Sequence, residues 1–281
     1  MRPDDSLEAS GYSRRMRPLL GTFVEIGFQA ASGDQAAALG AFAAIEEVQR
    51  RLSFQDPDSE LSTLNRCPGA FLRLSPLSIR VLRLARAMTL VSGGLFNCTL
   101  GGTLVRQGVL PDHDSAAMLD AGTASDIEIR GPEVRLKRPV RLTLDGIAKG
   151  YAVDLAIRAL RRHGVAAGWV NAGGDLRVFG PLTLPVHRRE ADGALRYLGG
   201  LREAAIATSA VQPRQEPSFP GLIVNPAGGP VTAGVWSVLA RYAWRADALT
   251  KVAALASEWA RASLLSRLGG QLVAPMTPAP L

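Results

Sequence analysis

The chain has 281 residues, with 32 Lys and Arg against 25 Asp and Glu, a formal net charge of +7. That length holds one large domain or two small ones with a substantial core. With 47% apolar and 20% charged residues it has the balance of a soluble globular protein, and no apolar run approaches the roughly 18 to 20 residues of a membrane span. Lys137, Lys149 and Lys251 are the only lysines, so the basic balance rests on dispersed arginines. Nucleic-acid binders cluster cations and interleave aromatics with them. Neither pattern is present, and the arginines read as a solvated surface that steers anions. Cys67 and Cys98 form no CxxC or zinc pattern and read as reduced, and His113, His163 and His187 lack metal-ligand spacing.

Residues 1–16 are polar and read as a loose segment, with charges where a secretion signal needs its apolar stretch. This predicts a cytoplasmic protein. Gly21 to Phe28 alternates as a strand, and Asp34 opens a helix to Leu52 with Phe42, Ile45, Val48 and Leu52 inward. In Ser53 to Arg66, Pro57 suits a helix's first turn and Asp56, Asp58 and Glu60 suit its dipole. Ser75-Pro76 starts another helix that Gly93-Gly94 stops. Residues 107–125 read as loop with a short helix, and Asp126 to Leu144 as a hairpin turning at Gly131-Pro132. After Gly180 short strands dominate, up to Val235–Trp244. A helix then opens at Ala246-Asp247 and runs to about Ala262. Sequential hairpins mixed with a few long helices predict an α+β fold.

The stretch Leu142 to Gly180 reads as strand, tight turn, helix, second strand and second Gly-rich turn. Leu142 and Leu144 alternate with Arg141 and Thr143, and Asp145-Gly146 breaks the pattern. Ile147, Ala148, Tyr151, Ala152, Leu155 and Ala159 supply an apolar helix face, and Gly164 caps its end. Val165 to Val170 leads into Asn171-Ala172-Gly173-Gly174-Asp175. Lys149 lies in the helix's first turn, where it opposes the dipole at a cost of roughly a few tenths of a kcal/mol. Two readings stand: a phosphate-handling turn, or an ordinary strand-turn-helix with an exposed lysine. Neither GxxxxGK[ST] nor GxGxxG is present.

Gly146-Ile147-Ala148-Lys149-Gly150-Tyr151-Ala152-Val153-Asp154, followed by Val170-Asn171-Ala172-Gly173-Gly174-Asp175, resembles the central signature of the ApbE family of FAD:protein FMN transferases. The resemblance extends from about Pro18 to about Leu268. Leu20-Gly21-Thr22 stands where the family has Met-Gly-Thr, and Ser53 to Arg66 is similar to its segment that closes over the flavin. In Leu95 to Gly102, Asn97 and Cys98 replace the family's Asp and Pro. Ala207-Thr208-Ser209 is similar to its Ala-Thr-Ser strand end. In Gly221 to Val231, Leu222, Asn225 and Gly228 stand at its His, Asp and Thr positions.

The resemblance implies an α+β, T-fold-related domain over residues 17–275, with mixed or antiparallel sheets and packed helices. It implies FAD as substrate and transfer of FMN to a Ser or Thr hydroxyl of an acceptor protein, with AMP leaving and Mg2+ on the phosphates. Leu20, Phe54, Gln55, Leu95, Phe96, Asn97, Thr143, Lys149, Gly173, Gly174 and Leu222 would then line the flavin nucleotide. Lys149 would also serve catalysis by steadying phosphate, and Asp247 by holding metal with Thr250 and the backbone carbonyl of Gly146. Against these stand simpler readings: Phe54 as core, Asp247 as an N-terminal helix carboxylate. Lys251 occupies a position where relatives usually have Thr, and Thr143 one where they often have Asp. Two alternatives follow: an FAD carrier or regulator without transferase activity, and a hydrolase giving FMN and AMP.

Overall fold

The computed structural model describes residues 11–29, 34–190, 192–211, 223–226, 228–229, 231 and 233–274. In chain order the strands and helices begin with β1 (Tyr12–Leu19), β2 (Thr22–Gln29), α1 (Asp34–Leu52), α2 (Glu60–Arg66), β3 (Leu72–Arg73), α3 (Pro76–Val91) and α4 (Gly101–Arg106). Then follow β4 (Ile127–Arg130), β5 (Glu133–Leu136), α5 (Ala148–Arg162), β6 (Gly168–Ala172), β7 (Asp175–Phe179), β8 (Leu184–Arg189) and β9 (Leu195–Leu201). The chain closes with β10 (Ala205–Val211), β11 (Gly234–Ala240), α6 (Ala243–Leu255), α7 (Glu258–Arg267) and β12 (Gly270–Val273). Two compact units result. The first takes the described residues within Met1–Glu46, Lys149–Gly221 and Thr232–Leu281; the second takes those within Glu47–Ala148 and Leu222–Val231.

The first unit is built on a seven-stranded sheet in the order β1-β2-β6-β7-β10-β11-β12, with every neighbouring pair antiparallel. Side chains alternate across a strand, so each face collects every second residue. One face presents Trp169, Leu176, Val178 and Ile206, which pack with Leu184, Val186 and Leu201 of the β8–β9 hairpin. The other collects Ala207 and Ala240 against Ala246 of α6. The same alternation carries Asp175 and Arg177 of β7 and Ser209 of β10 to the helix-covered side. Trp169 is fully buried and donates its indole N–H to Glu25 at 2.8 Å, and Glu25 is also paired with Arg14. Gly27 lies opposite it in register, where an added Cβ would stand 2.1 Å from the indole ring.

The second unit holds α2, α3, α4 and the three-stranded sheet β3-β5-β4, whose hairpin turns at Gly131-Pro132 as expected. Leu142 and Leu144 are buried but belong to no strand, contrary to their alternation. The reason lies in their backbone partners. Asn65 brackets Leu142 with its side-chain amide, donating to the carbonyl at 2.9 Å and accepting from the N–H at 2.7 Å. Thr143 N–H goes to the carbonyl of Cys98, and a single bridge joins Arg141 to Leu100.

Boundaries also differ from expectation: the strand expected over Val235–Trp244 ends at Ala240 and the helix expected from Ala246 starts at Ala243. The first strand begins at Tyr12, inside the stretch expected to be loose, because the arginine-rich segment pairs residue for residue with β2 and Arg14 finds Glu25. The helix after Ser53 starts later, at Glu60, where the Ser59 hydroxyl accepts from Ser62 N–H and outcompetes Pro57 as the start signal. The final helix divides at Ala256, since Arg261 donates to the carbonyls of Ala253 and Ala256 and so ends α6.

Two outcomes test this packing. Gly27→Ala should destabilise the protein by about 1–3 kcal/mol, because Trp169 is fully buried and tied to Glu25; an unchanged denaturation midpoint would contradict that. Asp126 accepts from Thr123 N–H at 2.8 Å and forms a two-point pair with Arg138, whose guanidinium holds its carboxyl below the usual range. A folded-state pKa below the unfolded value stabilises at neutral pH, and the gain is lost as pH falls through the folded pKa. Asp126→Asn should therefore be less stable than wild type at pH 7, and denaturant midpoints should converge below roughly pH 4, the ordinary Asp value.

Candidate functional site

The polar cluster of the first unit is assembled by a carboxylate that no neighbour in sequence explains. Asp154 lies on the apolar face of α5 and is completely buried. Its oxygens accept from the backbone N–H groups of Ala243 and Trp244, each at 3.1 Å, and pair with Arg177 of β7. Tyr242, at the helix boundary, makes no side-chain cap, so Asp154 caps α6 from another helix. Burial pushes the Asp154 carboxyl up, and Arg177 with the two N–H donors pulls it back. At Gly150 the same junction is so close that a Cβ would lie 2.3 Å from the Ala243 carbonyl oxygen. The Gly150 N–H reaches Asp247 Oδ2 at 3.4 Å.

With α6 held this way, Asp247, Thr250 and Lys251 fall beside the sheet. Asp247 is 1% exposed, and its Oδ1 takes the Lys251 ammonium at 2.5 Å. Lys251 Nζ also donates to Ser209 Oγ and to the Asp247 carbonyl, both at 3.3 Å. Thr250, fully buried, turns its hydroxyl back to the Asp247 carbonyl at 2.7 Å and shares a hydrogen bond with Ser209 at 2.8 Å. Asp175 completes the group. It is buried, its Oδ2 has no hydrogen-bond partner, and its pKa is raised to about 7. Burial is the main cause and the Asp247 charge adds to it, while Lys149 and Lys251 oppose both.

Two glycine-containing turns flank this cluster. Gly173 and Gly174 join β6 to β7 with φ of 61° and 106°, and Asn171 Oδ1 accepts from Gly174 N–H at 3.0 Å. Leu20 and Gly21 join β1 to β2, and Leu20 itself adopts φ of 56°, a conformation a leucine seldom takes. The turns are neighbours: a Cβ on Gly173 would meet Thr22 Oγ1 at 2.7 Å, so Thr22 occupies one side of that bend. Among the described residues, a Cβ on Gly174 would meet the Thr208 carbonyl alone, at 3.9 Å.

In the second unit Phe54 is 4% exposed, with its ring stacked on His113 at 6.0 Å between centroids and its carbonyl 2.7 Å from His113 Nε2. It has the burial of a core residue. Gln55 beside it is exposed and Leu95 half-buried. Phe96 is buried, with its N–H donating to Ser92 Oγ. Asn97 accepts from Thr99 N–H and hydroxyl at 2.9 and 2.7 Å and donates to the Gly122 carbonyl. Its amide thus organises its own loop. Thr143 is buried and Gly146 half-buried. Leu222 lies outside the described residues.

The donors at Asp247 do not fit a divalent ion. Both carboxylate oxygens are engaged, an ammonium occupies one, and the Thr250 hydroxyl is directed into its own helix. Among the described residues no group of three or more His, Cys, Asp or Glu is arranged to hold a metal. Sequence reasoning passed over Asp154 and Asp175 as functional groups. Asp154 carried a signal, since it follows Ile147 and Tyr151 at helical spacing and is thus a charge on an apolar face. Asp175 carried one only in its place after two glycines.

The ApbE family's sequence profile matches residues 20–274, across both units. Over 134 residues the chain is 31% identical to an FAD:protein FMN transferase of Rhodobacter capsulatus, a match covering 43% of this chain and 26% of that protein. Over 182 residues it is 25% identical to an FAD:protein FMN transferase of Klebsiella pneumoniae, covering 60% and 57%. The matches thus span about a quarter and just over half of those relatives' lengths. Among solved structures, the flavinyl transferase ApbE of Pseudomonas stutzeri superposes with a TM-score of 0.80 at 18% identity, over 95% of this chain and 92% of that one. The flavin transferase ApbE of Vibrio cholerae gives 0.79 at 21% identity, over 95% and 94%. These likenesses establish the α+β fold. With a family match over nearly its whole length, the chain belongs to the ApbE family.

Proposed function

We propose that this protein transfers FMN from FAD to a Ser or Thr hydroxyl of an acceptor protein. The hydroxyl oxygen attacks the FMN-side phosphorus, the bond to the bridging oxygen breaks, and AMP leaves. The hydroxyl proton passes to a base that the geometry leaves unassigned. Such phosphoryl chemistry depends on positioning and on neutralising charge around the diphosphate. The observation that carries this reading is the buried Asp175 that follows the Gly173–Gly174 turn, on which the charges of Lys149 and Lys251 act, with Lys251 seated on Asp247 and Ser209. Two ammonium groups acting on one buried cluster suit a diphosphate, and they come from two separate helices. Family membership and the curated relatives' activity support the same reading.

Lys149 would steady the diphosphate, and the Gly174 side of the turn would admit it closely because among the described residues no side chain stands there. Magnesium, which the family resemblance implies, finds no suitable donor set at Asp247, so no step is assigned to it.

Incubation of the pure protein with FAD and a flavin-acceptor domain should yield fluorescent, covalently flavinylated acceptor and an equal amount of AMP. FAD that stays bound and intact would establish the carrier reading instead, and AMP with free FMN the hydrolytic one. Lys149→Ala should weaken FAD binding about tenfold or more, the loss of a charge-assisted contact of about 1.5–3 kcal/mol. An unchanged dissociation constant in a flavin-fluorescence titration would remove Lys149 from the site.

A further inference from the structure

Charge balance around Asp247 leads beyond the transfer reaction. Asp175 and Asp247 are two carboxylates in one buried cluster; the charges of Lys149 and Lys251 act on Asp175, and Lys251 pairs with Asp247. Lys251 is placed for more than solvation. Its ammonium has three N–H donors and three acceptors within reach: Asp247 Oδ1, the Asp247 carbonyl and Ser209 Oγ. Asp247 and Lys251 are four residues apart on α6, so the helix itself sets the pair, and Ser209 of β10 fixes the ammonium from the sheet. A hydrated Mg2+ needs several open oxygen ligands at near-octahedral positions. It would have to take Asp247 Oδ1 from an ammonium that would then stand beside it uncompensated.

We propose that Lys251 is a tethered cation that takes the place of a divalent metal at Asp247, leaving the anion-facing side of the cluster charge-complete without one. That the anion is the FAD diphosphate rests on the transferase reading; that the site refuses a metal does not. A fixed monovalent charge changes the dependence on solution conditions. Its occupancy is independent of Mg2+ concentration, and chelators leave it in place. It also cannot dissociate with product as a loosely held ion can.

The test is a calorimetric titration of the flavin-free protein with MgCl2, paired with thermal melts across the same concentrations. Wild type should show no saturable binding into the millimolar range and no rise in melting temperature. Lys251→Thr, which removes the ammonium and puts a hydroxyl on Cβ, should gain saturable binding at least tenfold tighter than any wild-type signal. The gain should vanish in Lys251→Thr combined with Asp247→Asn. Lys251→Gln, neutral and nearly isosteric, provides a second route should the threonine variant fold poorly by circular dichroism. Lys251→Arg should behave as wild type. Submillimolar Mg2+ binding by wild type, or folded Thr and Gln variants that bind no more tightly, would overturn the proposal. No flavin is present in this titration. Failure to transfer FMN therefore counts against the activity, and a metal-binding wild type counts against this role of Lys251.

Discussion

A single buried carboxylate, Asp154, holds the site's parts in place. It joins α5, the first two peptide N–H groups of α6 and the Arg177 guanidinium of β7. Placing it there strips it of water, which raises its pKa. The arrangement persists because an unsatisfied charge at this position would be worse than the pair it makes. Its consequence is geometric. Once α6 starts against α5, Asp247 sits one turn further along, beside the Gly150 N–H, and Lys251 one turn beyond that. The close approach requires Gly150, since a side chain there would run into the Ala243 carbonyl.

Around that joint the unit gathers a balanced set of charges on the helix-covered side of the sheet. The opposite face is apolar, sealed by the β8–β9 hairpin over Trp169, Leu176 and Val178. Polar residues on β7 and β10 therefore reach the same side for the same reason, the two-residue period of a strand. Asp175 and Ser209 need no special device to meet α6. A site on central strands and two helices is stiffer than one on loops, and a cluster with satisfied ammonium donors restricts Lys251 to one rotamer. Within the second unit Phe54 is covered by His113, and the Asn97 amide is engaged in its own loop. Asparagine keeps the shape of the carboxylate its relatives carry and adds a donor, which goes to the Gly122 carbonyl.

Much of the architecture was legible beforehand. The α1 and α5 helices announced themselves through three- and four-residue apolar spacing, and α3 through Ser75-Pro76 and Gly93-Gly94. The β4–β5 hairpin did so through Gly131-Pro132. Where local reading failed, a distant partner had intervened. Leu142 and Leu144 alternate as a strand would, yet the Asn65 amide takes the backbone groups a neighbouring strand would have used. The arginines of β1 look like loose surface until Glu25 is brought opposite Arg14. Nothing near Ala256 interrupts the last helical pattern; Arg261 does, by folding back onto its carbonyls.

By itself the sequence determined the family, the α+β mixture of elements and the two glycine turns around the Tyr151 helix, since periodicity, capping and turn chemistry act over a few residues. It also placed Asp247, Thr250 and Lys251 at helical spacing. What only the tertiary structure decided is which of those side chains face one another. Asp154 as the cap of α6, Lys251 seated on Asp247 and Asp175 left with a bare oxygen all depend on groups brought together across many residues of chain. Electrostatic pairing depends on separation and on the exclusion of water, and both come into being only when the sheet and helices close around the charges.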